Sequence, residues 1–500
     1  MPGRIEFDVN LGPARDRAVR PDASDRLRIL VLGNLAGRRD ASQRPPQSLA
    51  DRAIHAVDLD NFDQVLARIA PSLVIEQQGQ GGPELAVSFD ELEAFHPDAL
   101  YDRLDLFRRH RDLKARLKDP ARFEAAAREM IESGSAVPTG DASIPDAASE
   151  SVTELSERLL GGKPRTAIAP RRGLDEVIRR LVEPYVQQDP AAGSAAYLSA
   201  LDAAASLIMR DLLRHPAFRE IESNWRSVRL LVEELDVDHS IDLTLFDASR
   251  QELAADTAQR GESPESTQLY RKIVDGMERN PPALIVAAYE FGATPEDLHL
   301  LAHLGRIGAS IGAPVIGAAA PALFGAGSLA QHPDPRDWAT ISGDVADLWQ
   351  ALRSSPIAPW IGLIAPRFLL RQPYGASSDA IDAFAFEEMT DPADHDAYLW
   401  SNPAFAGALL IGLAFQENGW EMAPGDVLDI GGLPTCVVEV GGERTLKPCA
   451  EVLLSERAAN TLLARGVMPL LSHRERNECR LARCQSIADP AQGLAGPWAV

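Results

Sequence analysis

Five hundred residues, 45% of them hydrophobic, supply apolar mass for two or three packed cores and exclude a disordered chain. The balance of 50 basic against 73 acidic residues, a formal charge of -23, repels nucleic acid and anionic lipid and argues against either as a general partner. No run of about eighteen apolar residues occurs, and the start MPGRIEFDVN lacks the features of a signal peptide, so the expectation is a cytoplasmic protein without direct membrane insertion.

In chain order, RIEFDV alternates Ile5, Phe7 and Val9 with charged residues and predicts a short strand with one apolar face. The next stretch, GPARDRAVRPDASD, has no periodicity, which sets this strand apart as one able to add to a sheet in another molecule. LRILVLGNLAG then predicts a buried strand over residues 27–32 with a glycine turn at Gly33 and Gly37. LDNFDQVLARIAP predicts an amphipathic helix with Phe62, Val65, Leu66 and Ile69 on one stripe, followed by a strand pair, SLVIEQ and ELAVSF. A helical stretch from FHPDAL to AREMI closes a first region, 1–131.

Residues 132–172 are rich in Gly, Ser, Pro and Ala and predict a linker. One helical island, SVTELSERLL, interrupts it with Val152, Leu155, Leu159 and Leu160 on one face. That face either docks on its own domain or serves as a recognition helix for a partner groove.

The last region, 173–500, opens with two amphipathic helices broken at His215-Pro216, the second turning Phe218, Ile221, Trp225 and Val228 inward. IDLTLF alternates as a strand, PALIVAAYEF and APVIGAAA read as fully buried strands, and Thr294 and Pro295 announce the helix between those two. That strand-helix-strand order predicts parallel sheet, hence an α/β fold with mixed α+β character. WIGLIAP predicts a further strand, PAFAGALLIGLAFQENG a buried helix capped by Asn402 and stopped by Gly419, and TCVVEVGGERTLK a hairpin around Gly441-Gly442.

Signals for chemistry fail on inspection. LLGGKPRT has Glu157 where a phosphate loop needs its first glycine and Pro164 where Ser or Thr would hold magnesium. VLGNLAG lacks the three-glycine dinucleotide pattern, and no Gly-x-Ser-x-Gly elbow occurs. Cys436, Cys449, Cys479 and Cys484 form no Cys-x-x-Cys pair, so they read as reduced structural thiols rather than a zinc site. The expectation is no catalytic residue, no cofactor and no metal.

Two features remain. In PRFLLRQPYG, Arg367 and Arg371 stand four residues apart, suited either to a phosphorylated ligand or to carboxylates of the same or another chain. Downstream, FEEMTDPADHDAYLW gathers Glu387, Glu388, Asp391, Asp394, His395 and Asp396, which suit a metal or acid-base work in principle and a salt-bridged joint more simply. The joint reading pairs Arg367 and Arg371 with carboxylates such as Glu387 and Glu388.

RLRILVLGNLAGRRD, VDLDNFDQVLARIAPSL and the helical stretch through ARLKD resemble the small contractile-sheath subunit of the type VI secretion system. The stretch from LIMRDLLRHPAFREIESNWRSVRLLVEEL through AAYEFGATPEDLHLLAHLGRIG, IGLIAPRFLLRQPYG, FAFEEM and HDAYLWSNPAFAGALLI resembles the large subunit. The resemblance implies a natural fusion with a contractile-sheath protomer fold, buried mixed sheets flanked by helices, and no enzymatic activity. It implies self or other sheath subunits, an inner-tube protein and the baseplate as partners, with contraction propelling the tube into a target cell. It further implies a AAA+ ATPase that recycles the sheath, for which Leu155, Leu159 and Leu160 are the contacts by position. RIEFDV resembles a strand that family protomers exchange, whereas the chain stops at CQSIADPAQGLAGPWAV, before the expected lacing strand, and YRKIVDGMERNPPALIV lacks the family's glycine-rich segment. Three readings follow: a sheath component with altered lacing, a cap, initiator or regulator that does not polymerise alone, and an enzyme on a sheath-like scaffold.

Overall fold

A computed structural model of the chain describes residues 25–38, 48–75, 85–135, 194–237, 239–259, 264–440 and 443–498. The strand expected at Ile5, Phe7 and Val9 and the helix expected at Leu155, Leu159 and Leu160 lie outside the described residues. The described residues divide into two compact units. One comprises the chain up to Pro71, Glu220–Gln372 and the chain from Pro392 on; the other comprises Ser72–Arg219 and Pro373–Asp391.

The first unit is built on a nine-stranded mixed sheet. Six strands at its centre are parallel, in the spatial order Met468–Ser472, Ile361–Ala365, Val315–Ala319, Leu284–Phe291, Leu27–Gly33 and Ile241–Asp247. Antiparallel strands flank them: His55–Ala56 beyond the Ile241 strand, and Cys479–Leu481 then Asp429–Ile430 beyond the Met468 strand. The Leu27 strand pairs along its whole length with Ile241–Asp247, from Leu27 opposite Ile241 to Gly33 opposite Asp247, and on its other edge aligns Ile29 with Leu284. Strands buried on both faces need continuous apolar runs, which is why LRILVLG, LIVAAYEF and VIGAA do not alternate.

Helices cover both faces. The Pro295–Ile311 helix starts where the Thr294 hydroxyl accepts the Asp297 N–H at 3.2 Å, and ends at Gly312, whose φ of +76° is left-handed. It packs on the face that carries Val315 and Ile361, so closely that a Cβ on Gly305 would sit 2.5 Å from Ile361 Cδ1. The apolar Ala404–Asn418 helix packs on the opposite face, where a Cβ on Gly407 would sit 2.6 Å from Ile364 Cδ1. Asn402 accepts the Ala404 N–H at 2.9 Å, Pro403 occupies the cap position itself, and Gly419 follows the last turn with φ +57°.

The second unit holds the antiparallel pair Ser72–Ile75 and Leu85–Ser88, and the helices Pro97–Arg103, Arg108–Lys118, Phe123–Ser135 and Ser194–Arg214. Leu113, Leu117, Ala126, Met130, Tyr197 and Leu201 form its helical core. Phe89 and Phe95 stack at 4.1 Å, and both meet Phe218 edge-on. Phe218 lies in the first turn of the Pro216–Glu234 helix, which begins after the break at His215.

Candidate functional site

Arg367 and Arg371 bracket the short strand Phe368–Leu369, which pairs with Trp400–Ser401. The Glu451 N–H donates to the Arg367 carbonyl at 2.8 Å, so the backbone itself brings these two side chains together. The Arg367 guanidinium then donates from Nε and Nη2 to the two Glu451 oxygens, at 2.9 and 2.5 Å, in a two-pronged pair. His395 Nε2 lies 3.1 Å from Glu451 Oε1, and its ring stacks on Trp400 at 4.8 Å. Burial by itself pushes the Glu451 carboxyl up, but hydrogen bonds from Arg367 and His395 outweigh it and hold the group at about 2.

Arg371 takes a different carboxylate. Its Nε and Nη2 donate to Glu222 at 2.8 and 3.3 Å, and Arg226 Nε, one helical turn beyond Glu222, donates to the same carboxylate at 2.8 Å. Glu222 is 0% exposed. Burial raises its carboxyl, and the two guanidinium charges more than reverse that, leaving it below the usual range.

Glu387 and Glu388 close a loop. The Tyr374 N–H donates to Glu388 Oε2 at 2.8 Å, the Glu388 N–H donates back to the Tyr374 carbonyl at 2.9 Å, and the Ala376 N–H donates to Glu387 Oε1 at 3.0 Å. Glu387, Glu388 and Asp391 belong to the second unit, whereas Asp394, His395 and Asp396 belong to the first. Of the acidic stretch, His395 reaches Glu451 and thereby the Arg367 pair.

Glu451 and Glu222 are the partners that sequence reasoning missed. Glu222 left a trace, since it stands one residue after Ile221 and three before Trp225, inside an otherwise apolar helical stripe. Glu451 left none, because its role comes from a pairing across 84 residues. A cleft of about 410 Å³ opens at the carboxyl ends of the Leu284, Val315 and Ile361 strands, and two of its charged groups, Arg367 and Glu451, are paired with each other. No group of three or more His, Cys, Asp or Glu suited to a metal occurs among the described residues. The four cysteines are free thiols, and burial pushes Cys449 up to about 11 and Cys484 to about 12, which disfavours the reactive thiolate. Among the described residues no helix is long and apolar enough to cross a membrane.

The arginine-carboxylate pairs join distant stretches of chain around a buried sheet. Comparison with known proteins gives the class: the VipB family (EvpB/VC_A0108, tail sheath N-terminal domain) matches residues 195–488, and the chain belongs to this tail-sheath family. The second family, type VI secretion system, VipA, VC_A0107 or Hcp2, matches residues 4–134. The type VI secretion system sheath protein TssC1 of Pseudomonas aeruginosa is 32% identical over 362 residues, covering 69% of this chain and 72% of that protein. TssB1 of the same organism is 25% identical over 135 residues, covering 26% of this chain and 74% of that protein. The chain is a structural component of a type VI secretion sheath that carries TssB-like and TssC-like regions in one polypeptide.

Proposed function

We propose that this polypeptide is a sheath protomer whose small-subunit and large-subunit parts are one chain, which polymerises in the cytoplasm around an inner tube and contracts to drive protein delivery. The observation that carries the reading is the Leu27–Gly33 strand: it comes from the TssB-like region and is paired on both edges by strands of the TssC-like region. Two regions that share one buried sheet behave as one protomer. The sequence regions 1–131, 132–172 and 173–500 then act as small-subunit part, linker and large-subunit part. The protomer contributes assembly surfaces and no catalysis, and other sheath subunits and the baseplate are its further partners.

Electron microscopy of the purified protein, alone and with inner-tube and standard sheath proteins, tests this. Ordered tubes from the protein alone are expected. Small particles that bind only at the ends of sheaths built from other subunits would replace the protomer reading with that of a cap or initiator. Two segments extend the proposal: Ile5, Phe7 and Val9 as a strand donated to a neighbour, and Leu155, Leu159 and Leu160 as the helix face read by a AAA+ ATPase. In a pull-down, changing those three leucines to Asp is expected to abolish ATPase retention, and equal retention removes the ATPase contact.

A further inference from the structure

The cleft of about 410 Å³ lies outside the carboxyl ends of three parallel strands, where open α/β sheets bind their ligands. Ala318, Leu329, Pro366 and Pro403 give it apolar walls, and a few charged groups converge on it, the make-up of a small-ligand pocket. The Leu284 strand is irregular just where it reaches this cleft. Val286 pairs with Ile316 and Glu290 with Ala318, so three residues, 287–289, span on one strand what Gly317 alone spans on the other. Such bulges are rare between parallel strands and re-aim the side chains beside them. The side chain delivered here to the cleft is that of Glu290, which is exposed and makes no hydrogen bond or ion pair with any described residue. Protein nevertheless crowds it, for burial is the main cause pushing its carboxyl above the usual range. A carboxylate that water reaches, protein surrounds and no donor occupies is open to a ligand.

Charge selects the ligand. Glu290, Asp396 and Glu451 bring three carboxylates to the lining and Arg367 brings one guanidinium, so the cleft is negative and disfavours a phosphate. A guanidinium fits it, because its planar fork meets a carboxylate such as Glu290 through two parallel hydrogen bonds and keeps its charge at any working pH. The remaining polar groups are Ser328, Gln331 and the Nη1 of Arg367, which donates to no described residue. They supply the donors and acceptors that the peptide groups on either side of a bound residue require. We propose that this cleft is a binding site for an arginine side chain presented by another polypeptide, with Glu290 as its ion-pair partner and Arg367 Nη1 as a donor to a main-chain carbonyl of the guest. The site does not rest on the sheath reading.

The test is calorimetric titration of the full chain, at low ionic strength, with Nα-acetyl-arginine methylamide, an arginine side chain between two peptide groups. Saturable binding of one probe per chain is expected, weakened at least about tenfold by Glu290→Gln. That variant gives up no hydrogen bond or ion pair to a described residue, so its circular dichroism and thermal midpoint are expected to match those of the unaltered chain, and lost affinity then reports the site rather than the fold. The citrulline analogue of the probe, equal in shape and uncharged, is expected not to bind. Propylguanidinium, which carries the charge without peptide groups, is expected to bind more weakly than the probe; equal affinity would assign the cleft to small free cations and overturn the polypeptide as its source. Absence of saturable binding up to about 10 mM probe, or equal affinity in Glu290→Gln, overturns the site and leaves the sheath reading untouched.

Discussion

Glu222 has no contact with water, so its charge is stabilised entirely by Arg371 and Arg226. Glu222→Ala takes the shared carboxylate away from those guanidinium groups and is expected to cost about 3–5 kcal/mol, whereas Glu222→Met with Arg371→Met removes the most buried charges together and recovers most of that loss. Urea unfolding of the three proteins measures both. Titration gives a second prediction. Burial is the main cause that holds His303, beside Thr267 and facing Asp256 and Arg306, at about 4 rather than 6.5, so it is neutral in the fold. The unfolded chain binds its proton first; stability therefore falls as pH drops from 6.5 towards 4, by on the order of 3 kcal/mol. Glu451 and Glu252 act lower. Their folded values near 2 against an ordinary 4.5 mean that their contribution is complete above about 4.5 and is lost as pH falls through about 2. His303→Gln is expected to flatten the upper part of the stability-pH curve and leave the lower part, and an unchanged upper slope would exclude His303 as its source.

Elements were legible where their pattern is local. The stripe Phe62, Val65, Leu66 and Ile69 is the buried face of the Phe62–Ile69 helix, and the break at His215-Pro216 falls between two helices as their sequence indicates. LRILVLG announced a strand buried on both faces, yet a period fixes a face and never a neighbour: the partners at Ile241 and Leu284 stand more than two hundred residues away. The arginine joints were hidden for the same reason, since Glu387 and Glu388 were closest in sequence while Glu451 and Glu222 were closest in space. The centrality of the Leu27 strand is testable by Val31→Pro, which removes a ladder hydrogen bond from a strand paired on both edges and is expected to cost about 3 kcal/mol or more. Loss of hydrogen-exchange protection in both Ile241–Asp247 and Leu284–Phe291 is the expected signature. Protection lost in one neighbour alone would mean that the two edges are independent.

At the scale of the whole molecule, sequence order and compactness follow different boundaries, for the first unit gathers three separate stretches of chain and the second gathers two. Composition suggested a linker from 132 on, a stretch that lies outside the described residues except for 132–135, which close the Phe123–Ser135 helix; it carried no sign that a strand from before that stretch completes a sheet from after it. That arrangement decides what each region can do alone. A fragment of residues 195–500 lacks the Leu27 strand, so the alternating Ile241 strand and the largely buried Leu284 strand face each other across a gap one strand wide. Sliding the two together would pair main chain with main chain but would break helix packing across the gap, including the close approach of Gly412, in the Ala404–Asn418 helix, to Leu235 just ahead of the Ile241 strand. The fragment is therefore expected to aggregate when expressed alone and to form a soluble one-to-one complex when residues 1–135 are co-expressed as a separate chain. Gel filtration measures the complex, and hydrogen exchange in Leu284–Phe291 reports whether the sheet is whole. A fragment that is soluble alone, with that strand protected, would show that the strand completes the protomer without being required for it; the covalent joining of the two regions would then serve stoichiometry rather than folding.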